Sequence, residues 1–163
     1  MCGICGYISK RKIGDDALEA MNDTMYHRGP NDSGIYQVEV EDTYFGFAQR
    51  RLSIMDLSVL GHQDRIGKKP LYYYWKDGEL IFGSELKAIV KHPNFKKNLN
   101  ENVIKQFLCY QYINEPNTIY CDTYKLPAGH YMVFKNGQIE IKKYWDIYEK
   151  YIDGKKNVIL DYK

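Results

Sequence analysis

The sequence predicts an α+β protein built mostly from antiparallel strands. Two hairpins carry that expectation. One is "LYYYWKDGELIFG", with Asp77-Gly78 at its turn, and the other is "HYMVFKNGQIEIKKYW", with Asn136-Gly137 at its turn. Asp-Gly and Asn-Gly accept the positive φ angles of a tight two-residue turn. The third observation is a pair of segments with apolar residues at helical spacing, "DDALEAMNDTMYH" and "ENVIKQFLCYQYI".

Taken in order, "GICGYIS" reads as a short strand. In the first helix, Asp15 or Asp16 is the expected cap, and Ala17, Leu18, Met21 and Met25 share one face. "HRGPNDSG" breaks the pattern with Gly, Pro, Asn and Asp and reads as a loop. "IYQVEV" alternates apolar and polar residues, and "EDT" turns it back into "YFGFAQRRLSIM". After "DLSVLGHQ" the character changes abruptly to "DRIGKKP", so two halves meet near residue 64. Beyond the first hairpin, Ser84 is the expected cap of a short helix, "ELKAIVKH", which stops at Pro93. "FKKNLNEN" reads as a polar linker, and a small second unit is expected to start near 94–102. The charged end, "EKYIDGKKNVILDYK", has no evident mate and is expected to be mobile, as undocked termini are.

A chain of 163 residues is long enough for one domain with a real core. Its 44% apolar and 27% charged residues place it among ordinary globular proteins. The net charge is +2 with the signs interspersed, which argues against an electrostatic nucleic-acid or anionic-membrane binder. No apolar run approaches the roughly 18 residues of a membrane span. Lys10, Arg11 and Lys12 follow the short apolar N-terminal stretch, the reverse of a secretory signal. The four cysteines therefore read as reduced cytosolic thiols, and the expected location is cytoplasmic.

The opening "MCGICGYIS" places Cys2 directly after the initiator Met. Three readings compete: a packing residue, half of a metal or redox pair, or a nucleophile exposed as the first residue. Cys is small enough to permit removal of Met1. Cys2 would then carry an α-amine with a pKa near ~8 and a thiol near ~8.5. In an N-terminal nucleophile the amine serves as general base for its own side chain. The pair Cys2 and Cys5 also spells C-x-x-C. On a strand, however, residues three apart point to opposite faces. A zinc site needs two further ligands, and Cys109 and Cys121 lie well beyond the spacing of about two to four residues of such a pair. No metal is therefore expected, and Cys5, Cys109 and Cys121 read as small packing residues. "GHQDRIGKK" fails as a phosphate loop, because its glycines are wrongly spaced and Lys69 stands where Ser or Thr is needed. In "RRLSIMD", Arg50 reads as a solvated strand edge. Arg51 could clamp a carboxylate with two parallel hydrogen bonds, which suits an amino-acid substrate.

Six strings occur in one order: "MCGICGYI", "HRGPNDSG", "RRLSIMDLS-GHQ", "DRIGKKPLYY", "ELKAI" and "KLPAGHYM…YWD". Together they cover most of residues 2–146 and resemble the glutamine-dependent asparagine synthetases. The opening portion resembles their class II glutamine amidotransferase domain, which has an N-terminal-nucleophile hydrolase fold. The resemblance implies a partial αββα sandwich. It implies hydrolysis of glutamine to glutamate and ammonia, with the ammonia used for ATP-dependent amidation of aspartate. It implies Cys2 as the nucleophile, Arg51 as the clamp on the glutamine α-carboxylate, and the backbone of Leu52, Ser53, Ile54 and Met55 as the pocket floor. His27 to Gly34 would shape the site without a chemical role. Asn31 stands where the family usually has Asp.

Two departures follow from the same resemblance. Between Gln63 and Asp64 the family has several tens of residues that this chain lacks. That stretch carries the Asn and Gly of the oxyanion hole and the Asp that holds the α-amine. Loss of one oxyanion donor typically costs about 10²–10³ in rate. The chain also ends soon after "YWDIYEKY", without the synthetase domain. The expected organisation is thus residues 1–93 as an internally deleted amidotransferase domain and 94–163 as its remainder and a linker. No cofactor is expected in this chain, since ATP and magnesium would belong to the absent synthetase domain. The expected partners are glutamine and either a second copy or a synthetase domain. The alternative reading is a non-catalytic remnant that acts as an interaction or oligomerisation module.

Overall fold

A computed structural model describes residues 2–51 and 67–156. Its centre is a six-stranded antiparallel sheet in the order β2-β3-β1-β5-β4-β6. The strands are β1 (Gly3–Ser9), β2 (Asp32–Val40), β3 (Thr43–Arg51), β4 (Tyr72–Lys76), β5 (Glu79–Gly83) and β6 (Thr123–Lys125). A separate hairpin pairs β7 (His130–Lys135) with β8 (Gln138–Lys143). Four α-helices accompany them among the described residues: α1 (Asp15–Asp23), α2 (Leu86–Val90), α3 (Glu101–Tyr110) and α4 (Ile147–Lys156). The architecture is α+β.

The turns follow from their residues. Asp77-Gly78 and Asn136-Gly137 both adopt positive φ, as expected of hairpin turns of this length. Glu41 and Asp42 do the same between β2 and β3, although neither is glycine. β2 begins at Asp32, so the second half of "HRGPNDSG" is strand, and Tyr26–Arg28 in its approach form a short 3-10 turn. The loop proper is shorter than its composition predicts.

Alternation along the strands sorts side chains onto two faces. One face carries Cys5 and Tyr7 of β1, Ala48 of β3, Ile81 of β5 and Tyr74 of β4. These pack against Leu18 and Met21 of α1, Met25 just beyond it, and Ala88 and Ile89 of α2. Leu18, Met21 and Met25 are fully buried, so the helical spacing read from the sequence marks the true core face. The other face carries an aromatic row. In register across the strands it runs Tyr36, Phe47, Gly6, Phe82, Tyr73 and Tyr124. Gly6 is required at its centre, because a Cβ there would lie 2.3 Å from the Gly46 carbonyl oxygen and 2.6 Å from the Phe82 ring. Trp75 on this face meets Phe134 of the hairpin edge to face, at 6.2 Å. The β2–β3 half of the same face leaves Tyr36, Val38, Val40 and Phe47 exposed.

The helix caps differ from expectation. Gly14 occupies the N-cap of α1 with no side-chain cap bond, and Asp15 and Asp16 sit in the first turn. There their charge meets the positive end of the helix. Glu85, not Ser84, is the N-cap of α2, again with no side-chain cap bond. Asn100 caps α3 conventionally, accepting the Val103 N–H at 3.3 Å. α3 buries only Val103, while Phe107, Leu108 and Tyr110 are exposed.

The stretch expected to be a polar linker is tied to the sheet. Cys121 N–H donates to the Asn98 carbonyl at 2.8 Å, and Asn100 N–H donates to the Ile119 carbonyl at 2.9 Å. Phe95 is buried, with its ring 5.2 Å from Tyr74 and 5.3 Å from Tyr120. Residues on both sides of position 93 therefore build one sheet. α4 forms in the charged end, where the sequence pattern suggested no element. Residues 157–163 lie outside the described residues.

Candidate functional site

Cys2 is exposed and immediately precedes β1. Gly3 pairs with Arg50 as the first described rung of the β1–β3 ladder. One further step along an antiparallel ladder aligns Cys2 with Arg51. Arg51 ends β3 and is half-buried. On its other side it pairs with Asp32 of β2 and forms a parallel bridge with Pro30. The structure thus gathers Cys2, Arg51 and the turn after Arg28 at one end of the sheet. Leu52, Ser53, Ile54 and Met55, and the Gln63–Asp64 junction, lie outside the described residues.

Gly29 makes this gathering possible. A Cβ on it would sit 2.4 Å from the Arg51 nitrogen and 2.5 Å from the Arg50 carbonyl carbon. Only a residue without a side chain lets the "HRGP" backbone press against β3.

Arg50 is not a solvated strand edge. β3 lies inside the sheet, and the Arg50 side chain is 13% exposed. Its guanidinium pairs with Asp23, approaches the Asn22 carbonyl at 3.4 Å, and lies 5.4 Å from the centre of the Tyr26 ring. It ties β3 to the end of α1. The pairing depends on residues far away in sequence, which a reading of "RRLSIMD" cannot supply.

His27 and Arg28 join a charged cluster at the start of α2. His27 Nε2 lies 2.9 Å from Glu85 Oε1, and Lys87 Nζ lies 3.0 Å from Glu85 Oε2. Lys87 Nζ also approaches His27 Nδ1 at 3.3 Å, which fits an imidazole with its proton on Nε2. Arg28 Nη1 donates to Glu85 Oε1 and to the Ser84 carbonyl, both at 3.2 Å. Burial pushes the Glu85 carboxyl upward, but hydrogen bonds from Lys87 and His27 outweigh it and hold Glu85 below its ordinary range. Ser84 Oγ accepts the Ile4 N–H at 3.0 Å. The sequence offered no sign of the Ser84 contact, because hydroxyl and amide are 80 residues apart.

The other thiols divide. Cys5 is fully buried, and burial drives its pKa up to about 12 against a weaker opposing pull from Arg50. It is a packing residue on the face opposite the one toward which Cys2 continues. Cys109 is exposed on α3, contrary to a packing role. Cys121 is half-buried, with Sγ 3.5 Å from the Leu99 carbonyl. No cluster of three or more potential metal ligands occurs among the described residues. A groove of about 410 Å³ is lined by Tyr72, Leu86, Tyr112, Asn114, Glu115 and Lys125, and it shares no residue with Cys2, Arg28 or Arg51. No helix among the described residues is long and apolar enough to cross a membrane.

The glutamine amidotransferase domain matches this sequence in two segments, residues 1–64 and 62–145. The chain belongs to that family. Three relatives are similar to this glutamine amidotransferase domain. A putative glutamine-hydrolysing asparagine synthetase 2 of Methanocaldococcus jannaschii is 26% identical over 252 residues, covering 96% of this chain and 49% of that protein. Asparagine synthetase 3 of Bacillus subtilis is 29% identical over 94 residues, 56% of this chain and 15% of that protein. Asparagine synthetase 2 of the same organism is 34% identical over 109 residues, 64% of this chain and 14% of its own length. The chain thus spans about half or less of the curated relatives it matches. Its antiparallel sheet, flanking helices and separate hairpin are compatible with a partial N-terminal-nucleophile hydrolase sandwich.

Proposed function

We propose that this glutamine amidotransferase domain hydrolyses glutamine to glutamate and ammonia, and that the ammonia serves the amidation of aspartate in asparagine synthesis. The observation that carries the reading is the β1–β3 ladder, whose outermost pair, Gly3 with Arg50, puts Cys2 next in line with Arg51. In it, the Cys2 thiolate attacks the side-chain carboxamide carbon and forms a thioester. The α-amine, which has taken the thiol proton, passes it to the departing amide nitrogen so that ammonia leaves, and water then hydrolyses the thioester to glutamate and the free Cys2 thiol. Arg51 holds the α-carboxylate with two parallel hydrogen bonds. ATP and magnesium, in this reading, serve a separate synthetase domain.

The alignment with the archaeal relative is longer than the 163-residue chain itself, and the two family matches meet at residues 62–64. Both support a segment missing between Gln63 and Asp64, where the resemblance puts the oxyanion donors. The test is glutamate release from glutamine by the purified protein, with Cys2→Ala as control and intact mass to establish removal of Met1. Turnover that disappears in Cys2→Ala supports the reading. Absence of turnover, together with no labelling of Cys2 by a glutamine-mimicking diazoketone, overturns it.

A second reading rests on the exposed Tyr36, Val38, Val40 and Phe47. Here the chain is a non-catalytic module that covers this face by pairing with a second copy or a synthetase domain. Sedimentation of the purified protein as a monomer at tens of micromolar would count against the homodimer.

A further inference from the structure

We propose that Ser84 is a positioning residue for Cys2, acting through the outermost rung between β1 and β5; the proposal rests on Cys2 being the nucleophile. Cys5 and Gly83 form the last regular pair of that ladder, and the next pair outward is Ile4 with Ser84. Residues at such a rung normally exchange both backbone hydrogen bonds. One is present: the Ser84 N–H donates to the Ile4 carbonyl at 2.8 Å. The other is rerouted. The Ile4 N–H donates to Ser84 Oγ at 3.0 Å, so the hydroxyl stands in for the residue's own carbonyl.

The carbonyl released in this way accepts Arg28 Nη1 at 3.2 Å. Arg28 is held in turn by Glu85, which His27 and Lys87 also grip. One buried serine therefore fastens two things at once: the end of β1, two residues from Cys2, and the "HRGP" turn that presses on Arg50 and Arg51. With Ala at 84, the Ile4 N–H loses its hydroxyl acceptor and must turn to water or share the residue-84 carbonyl with Arg28. Either outcome loosens the strand end from which Cys2 projects. A displacement of about 1 Å at a reacting group can cost about 10²-fold in rate.

The experiment compares wild type, Ser84→Ala and Ser84→Thr. It measures kcat and KM for glutamine, peptide-resolved labelling of Cys2 by the diazoketone, and hydrogen–deuterium exchange at the Ile4 amide. Ser84→Ala is expected to speed Ile4 exchange at least about tenfold and to lower kcat and labelling about 10- to 100-fold. KM should stay within about twofold, and Ser84→Thr, which keeps the hydroxyl, should restore both. If Ser84→Ala does not fold, Ser84→Cys, whose sulfur accepts hydrogen bonds weakly, carries the same expectations. Near-normal kcat with accelerated Ile4 exchange overturns the positioning role and leaves the Cys2 reading intact. A wild type that neither turns over glutamine nor takes the label overturns both.

Discussion

The indole of Trp75 and the ring of Phe134 meet with their centroids 6.2 Å apart and their planes at 69°. They join the aromatic face of the sheet to the β7–β8 hairpin. An edge-to-face pair of this kind contributes about 0.5–1.5 kcal/mol beyond the area it buries. Phe134→Ala is expected to lower stability by about 1–3 kcal/mol, read as a shifted urea midpoint. Unchanged stability and unchanged tryptophan fluorescence would show that the hairpin is not held by this contact.

Gly29→Ala should act on β3 from the outside. The added methyl meets the Arg50–Arg51 backbone at 2.4–2.7 Å, and neither strand can yield without disturbing the Pro30 bridge. A cost of about 1–3 kcal/mol follows from such overpacking. In an active protein the glutamine KM should rise as well, since Arg51 moves. A melting temperature equal to wild type would contradict the close approach.

Arg51→Ala tests the carboxylate clamp separately from the nucleophile. Loss of a charge-assisted hydrogen-bonded pair is worth about 1.5–3 kcal/mol, or roughly 10- to 100-fold in KM. Arg51→Lys should recover only part of this, because an ammonium cannot reproduce the two-pronged geometry. Steady-state kinetics against glutamine and against an analogue lacking the α-carboxylate separate the two effects. Equal losses for both substrates would remove Arg51 from carboxylate binding.

His92 predicts acid sensitivity. It is 2% exposed, its ring lies 5.4 Å from Tyr7, its Nδ1 accepts the Asn94 N–H at 3.3 Å, and burial lowers its pKa to about 4. Between about pH 6.5 and 4 the unfolded chain therefore binds a proton that the folded chain refuses. Stability from this residue is complete above pH 6.5 and declines as pH falls toward 4, by at most roughly 3 kcal/mol. The melting temperature of wild type should fall through that window more steeply than that of His92→Asn. Parallel curves would mean that the imidazole titrates normally.

The hairpins were legible because their turn chemistry is local. Asp77-Gly78 and Asn136-Gly137 need nothing beyond their own φ preferences, and Leu18, Met21 and Met25 announce a core face by spacing alone. Of the proposed site, a chain-local reading reaches only Cys2 and Arg51. Ser84 looked like a helix cap because capping is what serine before "ELKAI" ordinarily does. Its hydroxyl goes instead to an amide brought near by strand pairing. Arg50 departs from its expectation for the same reason, since Asp23 and Tyr26 reach it only once α1 folds over β3. The segment "FKKNLNEN" looked solvated because its polar residues outnumber Phe95, the one that buries.

The deep seat of Cys5 gives this protein an internal clock. Burial drives its pKa up to about 12, so the thiol stays protonated near neutral pH, and it has no exposed surface inside the sheet for a reagent to reach. In the opened chain the same thiol ionises near ~8.5 and reacts at once. The rate at which Cys5 becomes alkylated therefore counts how often β1 leaves its neighbours, while Cys2, only three positions away, is exposed to reagent without any opening.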